Sequence, residues 1–160
     1  MKIKLLQIIL IFFSILYFFL GFFLEENSAG AGGLSGDLIY SWRNLQTFRD
    51  FDLLTAIKYT GGLYPEFYQG SRAPTLYIFQ SILNPFLTSQ NNYIRSVFIL
   101  SLTAPIIFYY CLKCKFFSIN KILILLLACT LLLSPYFRTS SYWGLEENYA
   151  IIFSLVSFFF

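Results

Sequence analysis

The chain contains no histidine. That absence removes histidine-activated serine or cysteine nucleophiles, histidine acid–base chemistry and most zinc sites. Charge is also scarce: Lys, Arg, Asp and Glu make up 12% of the 160 residues, about half the share of a soluble domain. The formal net charge is +3, and no basic cluster stands apart from the edges of apolar runs, so nucleic acid is not an expected partner. Three cysteines make no disulfide framework. Cys111 and Cys114 have C-x-x-C spacing but close an apolar run beside lysines, with no redox fold around them, and Cys129 lies inside another such run. The stretch "GAGGLSG" is not a dinucleotide fingerprint, because Ser35 stands at its third glycine position and no strand precedes it. It also lacks the lysine of a phosphate-cradling loop, and it reads most simply as a flexible exit from an apolar segment.

What the chain does have is apolar bulk. It is 58% hydrophobic and 21% aromatic, with 20 Phe, more than one small soluble core can hold. The bilayer is the natural solvent for such a composition. Four apolar runs stand out, at residues 5–24, 96–112, 122–136 and 149–160. The first has no charge and is long enough to cross a membrane. It exceeds the ~7–15 residues of a signal-peptide core, so it reads as an uncleaved span, although "NSAG" offers small residues for cleavage. The second run carries Pro105, which membrane helices tolerate. The fourth begins and stops within a dozen residues, so the sequence reads as the N-terminal part of one longer membrane domain. The expected fold class is all-α, with polytopic transmembrane helices and interfacial helices in a long first outer loop.

The lysines set the expected orientation. Lys2 and Lys4 flank the first run, and Lys113, Lys115 and Lys121 lie in or border the loop at 113–121. Positive residues stay inside, so the N-terminus and this loop are cytoplasmic. Every acidic residue (Glu25, Glu26, Asp37, Asp50, Asp52, Glu66, Glu146 and Glu147) then falls in the outer segments 25–95 and 137–148. In the first outer segment Leu38, Trp42, Leu45, Phe48 and Leu53 recur at helical spacing, which predicts a surface-lying amphipathic helix broken near Asp50. "TGGLYPEFYQGSRAP" is rich in turn formers. "PTLYIFQSILNPF" is too short to span and predicts a second interfacial or re-entrant helix, opened by Pro74 and closed by Asn84-Pro85.

This order of parts, with "SGDLIYSW", "YQGSRAPTLYIFQSILNPF" and "SPYFRTSSYWGLEENYAIIF", resembles the GT-C superfamily of integral-membrane glycosyltransferases. That group includes protein mannosyltransferases, lipid A aminoarabinose transferases and oligosaccharyltransferases. The resemblance, which is to bacterial members, covers nearly the whole chain. It implies an inner-membrane enzyme that moves a sugar from a polyprenyl-phosphate donor to a glycan, lipid or protein acceptor on the periplasmic or extracellular face. In that family an early acidic residue of the first outer loop takes the acceptor's proton, and here the matching residue is Asp37. A carboxylate at a lipid boundary sheds hydration and becomes a better base. The alternative is that Asp37 only caps the following helix. Arg72 and Arg138 offer paired planar donors to the donor's phosphate, or to ordinary lipid headgroups. Arg95, at the start of the second span, reads as a headgroup anchor. Glu146 and Glu147 form a second acidic position facing Asp37, or simply favour a helix start through its dipole. Tyr142 and Trp143 stack on a sugar or anchor the interface. No metal or other cofactor is expected, although some family members use a divalent cation. The competing classes are a transporter or flippase of lipid-linked saccharide, and a non-catalytic membrane assembly subunit.

Overall fold

The computed structural model describes residues 2–24, 26, 37–61, 74–83 and 87–159, and their regular structure is entirely helical. In chain order the helices are α1 Lys2–Phe19, α2 Asp37–Asp50, α3 Leu53–Thr60, α4 Pro74–Leu83, α5 Gln90–Lys115, α6 Lys121–Cys129, α7 Pro135–Trp143 and α8 Glu147–Phe159. Short 3-10 turns extend α1 (Leu20–Phe22) and α6 (Thr130–Leu133). Lys4–Phe22 and Gln90–Lys115 are long and apolar enough to cross a membrane. Lys121–Leu133 and Pro135–Trp143 make a third candidate if their 62° bend lies within one span. The glycine-rich stretch 28–36, the turn-rich stretch 62–73 with Arg72, and the Asn84-Pro85 stop lie outside the described residues.

Helix α1 has no polar face. Leu5, Leu6, Ile8, Ile9, Phe12 and Phe13 are all more than half exposed, a surface suited to lipid rather than water. Its buried side, with Ser14 and Phe18, packs against α6 and the turn after it. Helix α5 starts six residues before the apolar run at 96. Ser89 has extended backbone and its hydroxyl accepts the Asn92 N–H at 3.3 Å, so the polar Gln90-Asn91-Asn92 turn joins the helix. Pro105 sits inside α5 without ending it.

The run at 122–136 is two pieces rather than one. The extended Ser134 accepts the Phe137 N–H at 3.3 Å, and Pro135, with no N–H to offer the preceding turn, opens α7. Helix α7 therefore occupies most of the segment expected as the loop 137–148. It stops at Gly144, whose φ of 71° is left-handed, and the Leu145 N–H donates back to the Ser140 carbonyl at 3.0 Å. A Cβ on Gly144 would lie 3.2 Å from Ile94 Cγ1 and 3.4 Å from Leu38 Cδ1. Glycine here lets α2, α5 and the α7–α8 turn meet.

Asn148 ties the bundle together. Its Nδ2 lies within hydrogen-bond distance of Ser101 Oγ (2.8 Å), Ser141 Oγ (2.7 Å) and the Phe137 carbonyl (3.1 Å), its two N–H groups shared among them to join α5, α7 and α8. Such interhelical bonds contribute about 0.6 kcal/mol each in membranes. The segment between α1 and α5 folds onto this bundle in its described parts. Leu38 and Leu45 of α2 and Tyr77 of α4 share one buried cluster with Tyr93 and Val97 of α5 and Tyr149 of α8. The helix break near Asp50 is real: Asp52 accepts the Leu54 and Thr55 N–H groups, both at 3.1 Å, and restarts the chain as α3. Leu53, Leu54 and Ile57 of α3 remain exposed, an apolar face suited to a membrane interface.

Candidate functional site

The residues that converge come from three distant parts of the chain. Glu146, in the turn between α7 and α8, accepts hydrogen bonds at one oxygen, Oε2, from Ser41 Oγ (2.7 Å) and from the Tyr77 hydroxyl (2.8 Å). Ser41 points inward because it lies on the buried stripe of α2, between Leu38 and Leu45. Tyr77 is the buried residue of α4 one turn before the equally buried Gln80. Burial, and then the charge of Glu146, hold the Tyr77 phenol above its ordinary range.

Around this triad lies unspent hydrogen-bonding capacity. Asn44 (0% exposed), Gln80 (2%) and Tyr93 (0%) are sealed from solvent. Among the described residues, both amide atoms of Asn44 and of Gln80, and the Tyr93 hydroxyl, have no partner at full hydrogen-bond geometry, while the Tyr77, Tyr149 and Ser41 hydroxyls respectively lie beside them. Leaving a buried amide unpaired costs about 1–3 kcal/mol on protein mutational scales. These groups lie on the elements packed around Ser41, Tyr77 and Tyr149, and each such unpaired group calls for an explanation. Next to them a groove of about 340 Å³ runs between α4 and α8. Its walls are Leu76, Phe79, Ala150 and Phe153, and it reaches Glu146 and Tyr149.

Asp37 opens α2 and is half-buried. It precedes Ser41 by one helical turn, a separation of about 5–6 Å between Cβ atoms. Asp37 and Ser41 thus share one face of α2, and Ser41 bonds Glu146. The first-turn carboxylate also suits the helix dipole. Glu147 opens α8, and its Oε2 is buried with no hydrogen-bond partner. Trp143 packs on the α2–α5 cluster with its indole N–H unpaired.

No protein-family model, curated protein or solved structure matches the chain.

The remaining sequence candidates separate from this cluster. Arg138 is buried and turned onto Glu26: Nη2 donates to Oε1 at 2.7 Å and Nε to Oε2 at 3.0 Å, with the Tyr17 ring 4.5 Å from the guanidinium carbon. Gly21 makes room for that pair, since a Cβ there would lie 2.7 Å from Glu26 Oε2 and overlap the Tyr142 ring. Tyr142 is buried among Phe18, Phe22 and Phe98, and its hydroxyl donates to the Phe18 carbonyl at 3.2 Å. Both side chains fasten the end of α1 to α7. Arg72 lies outside the described residues. Among the described residues no three acidic or cysteine side chains converge as metal ligands, and Cys111, Cys114 and Cys129 are free thiols.

Sequence reasoning passed over Ser41, Asn44, Tyr77, Gln80 and Tyr93. A usable signal existed for two of them: Ser41 and Asn44 interrupt the apolar stripe of α2 at positions one turn apart. Polar residues on a core-facing stripe mark either a network or a ligand.

Proposed function

We propose that this chain belongs to a membrane glycosyltransferase that moves a sugar from a polyprenyl-phosphate donor to an acceptor at the outer face of the membrane. The observation that carries the reading is the pair of sealed amides, Asn44 and Gln80, each with donor and acceptor unspent, beside Glu146 and Tyr77. A phosphate only accepts hydrogen bonds and an ammonium only donates them. A hydroxyl does both, so a polyhydroxylated ring is a ligand class able to satisfy such amides. The α4–α8 groove supplies an apolar path for a lipid chain leading away from that ring. Asp37, one turn before Ser41, takes the acceptor proton. Arg72, which enters through the family resemblance, receives the departing phosphate.

The test is a transfer assay. Liposomes carrying the full-length protein receive polyprenyl-phosphate labelled in a hexose or a pentose, with envelope lipids and glycans as acceptors. Protein-dependent movement of label from the polyprenyl pool to acceptor supports the reading, and it drops in Asn44→Ala and Gln80→Leu. Label that stays on the polyprenol with both sugar classes sinks it.

A second reading, transport of a lipid-linked saccharide, draws on one observation: the 62° break between Lys121–Leu133 and Pro135–Trp143. Broken spans line transporter sites. In the same liposomes a flippase would move the intact labelled lipid between leaflets without cleaving the sugar–phosphate bond.

A further inference from the structure

We infer that the groove at the start of α5 binds a glycerophospholipid of the surrounding bilayer, with its phosphodiester on Arg95 and one acyl chain against Phe98 and Ile99. This inference does not depend on the transferase reading. The groove holds about 520 Å³ between the Leu20–Phe22 turn and the first turns of α5. Asn91, Arg95 and Ile99 follow one another at four-residue steps along α5, so they lie on one face at about 6 Å intervals. The groove is therefore polar at its start, where an amide and a guanidinium lie, and apolar further along the span, where aliphatic and aromatic carbon lies. An amphiphile lying parallel to the helix has the same gradient. Phe22, Phe98 and Tyr142 form the side wall. Phe22 and Ile99 are 51% and 63% exposed, so the apolar end opens outward rather than into the core.

Charge complementarity selects the headgroup. Among the described residues, Arg95 is the one charged residue lining the groove. It is exposed and, among the described residues, makes no ion pair, while Arg138, by contrast, is spent on Glu26. A guanidinium fork with a neighbouring amide matches an acceptor-only phosphodiester. Helix α5 is long and apolar enough to span, and Arg95 sits in its second turn. In a spanning α5 that position falls near the depth of bilayer phosphates.

The experiment uses the purified protein in detergent micelles, delipidated and then supplied with one lipid at a time. Dioleoylphosphatidylglycerol should remain bound in native mass spectra and raise the unfolding temperature. Dioleoylglycerol, with the same chains and no phosphate, should do neither, and glycerol phosphate without chains should also fail. Arg95→Gln should weaken phosphatidylglycerol retention about tenfold, the scale of one charge-assisted contact. Equal retention of dioleoylglycerol by the wild type overturns the inference, and this comparison stands even where the variant inserts poorly. Unchanged retention in a folded Arg95→Gln protein also overturns it. So does retention of polyprenyl phosphate with no retention of phosphatidylglycerol.

Discussion

Removing Glu26 should unfasten the end of α1 from α7. Arg138 and Glu26 form a two-pronged pair, with side chains only 8% and 14% exposed. Breaking a buried pair by deleting one partner typically costs about 3–5 kcal/mol, because the other charge stays buried and unpaired. Here the Tyr17 ring, 4.5 Å from the guanidinium carbon, keeps about 1 kcal/mol of compensation as a cation–π contact. Glu26→Ala should therefore cost about 3 kcal/mol, a shift of about a hundredfold in the unfolding equilibrium. Replacing both partners with apolar residues, Glu26→Leu with Arg138→Met, should be close to neutral, since no charge is then stranded. Gly21→Ala reaches the same pair from another side by pushing on the Tyr142 ring and on Glu26 Oε2. The assay is unfolding in mixed micelles titrated with dodecyl sulfate and followed by helical circular dichroism. A loss below about 1 kcal/mol in Glu26→Ala would refute the reasoning, and so would a double variant less stable than either single one. Either result would return Arg138 to the pool of residues available for a phosphate.

Three further outcomes are expected. Tyr77 is raised above its ordinary pKa, so its protonated form is favoured in the folded protein; the associated stability is full below about pH 10 and is lost as pH rises through the folded value. In the wild-type minus Tyr77→Phe difference, phenolate absorbance should appear above pH 10 in micelles and near pH 10 after unfolding; coincident titrations would contradict the burial beside Glu146. Gly144→Ala should cost about 1–2 kcal/mol from backbone strain alone, with further loss from contact with Ile94 at 3.2 Å; unchanged stability in the same micelle assay would contradict the left-handed turn. With the N-terminus cytoplasmic, a cysteine at Ser35 in a background without native cysteines should react with an impermeant maleimide in intact cells, and one at Ser118 should not; the reverse pattern would move every carboxylate to the other side.

The local structure was legible where a residue's own chemistry forces it. Pro74 opens α4, and the expected break near Asp50 separates α2 from α3. Each is a backbone constraint written in one or two adjacent residues. The spacing of Leu38, Leu45 and Phe48 likewise marks the buried stripe of α2. The run at 122–136 was read across Pro135 because hydropathy ignores caps, and Ser134-Pro135 was the signal that it turns. The site was far less legible. Ser41, Tyr77 and Glu146 are 36 to 105 positions apart, and no local pattern reports a contact at that range. The same holds for Glu26 and Arg138, separated by 112 positions. An arginine beside apolar runs requires a partner, but the chain offers eight carboxylates and sequence alone does not choose among them.

The central claim is that Asp37 is a base, not only the first residue of a helix. Asn retains an oxygen able to cap α2 but is a far poorer base. The decisive measurement is the initial rate of sugar transfer from polyprenyl-phosphate donor in liposomes for the full-length wild type and its Asp37→Asn variant, with matched insertion and helical content. The account predicts a rate at least about a hundredfold lower in Asp37→Asn, with unfolding unchanged. Turnover within about twofold of wild type would contradict it and leave Asp37 as a structural end of α2.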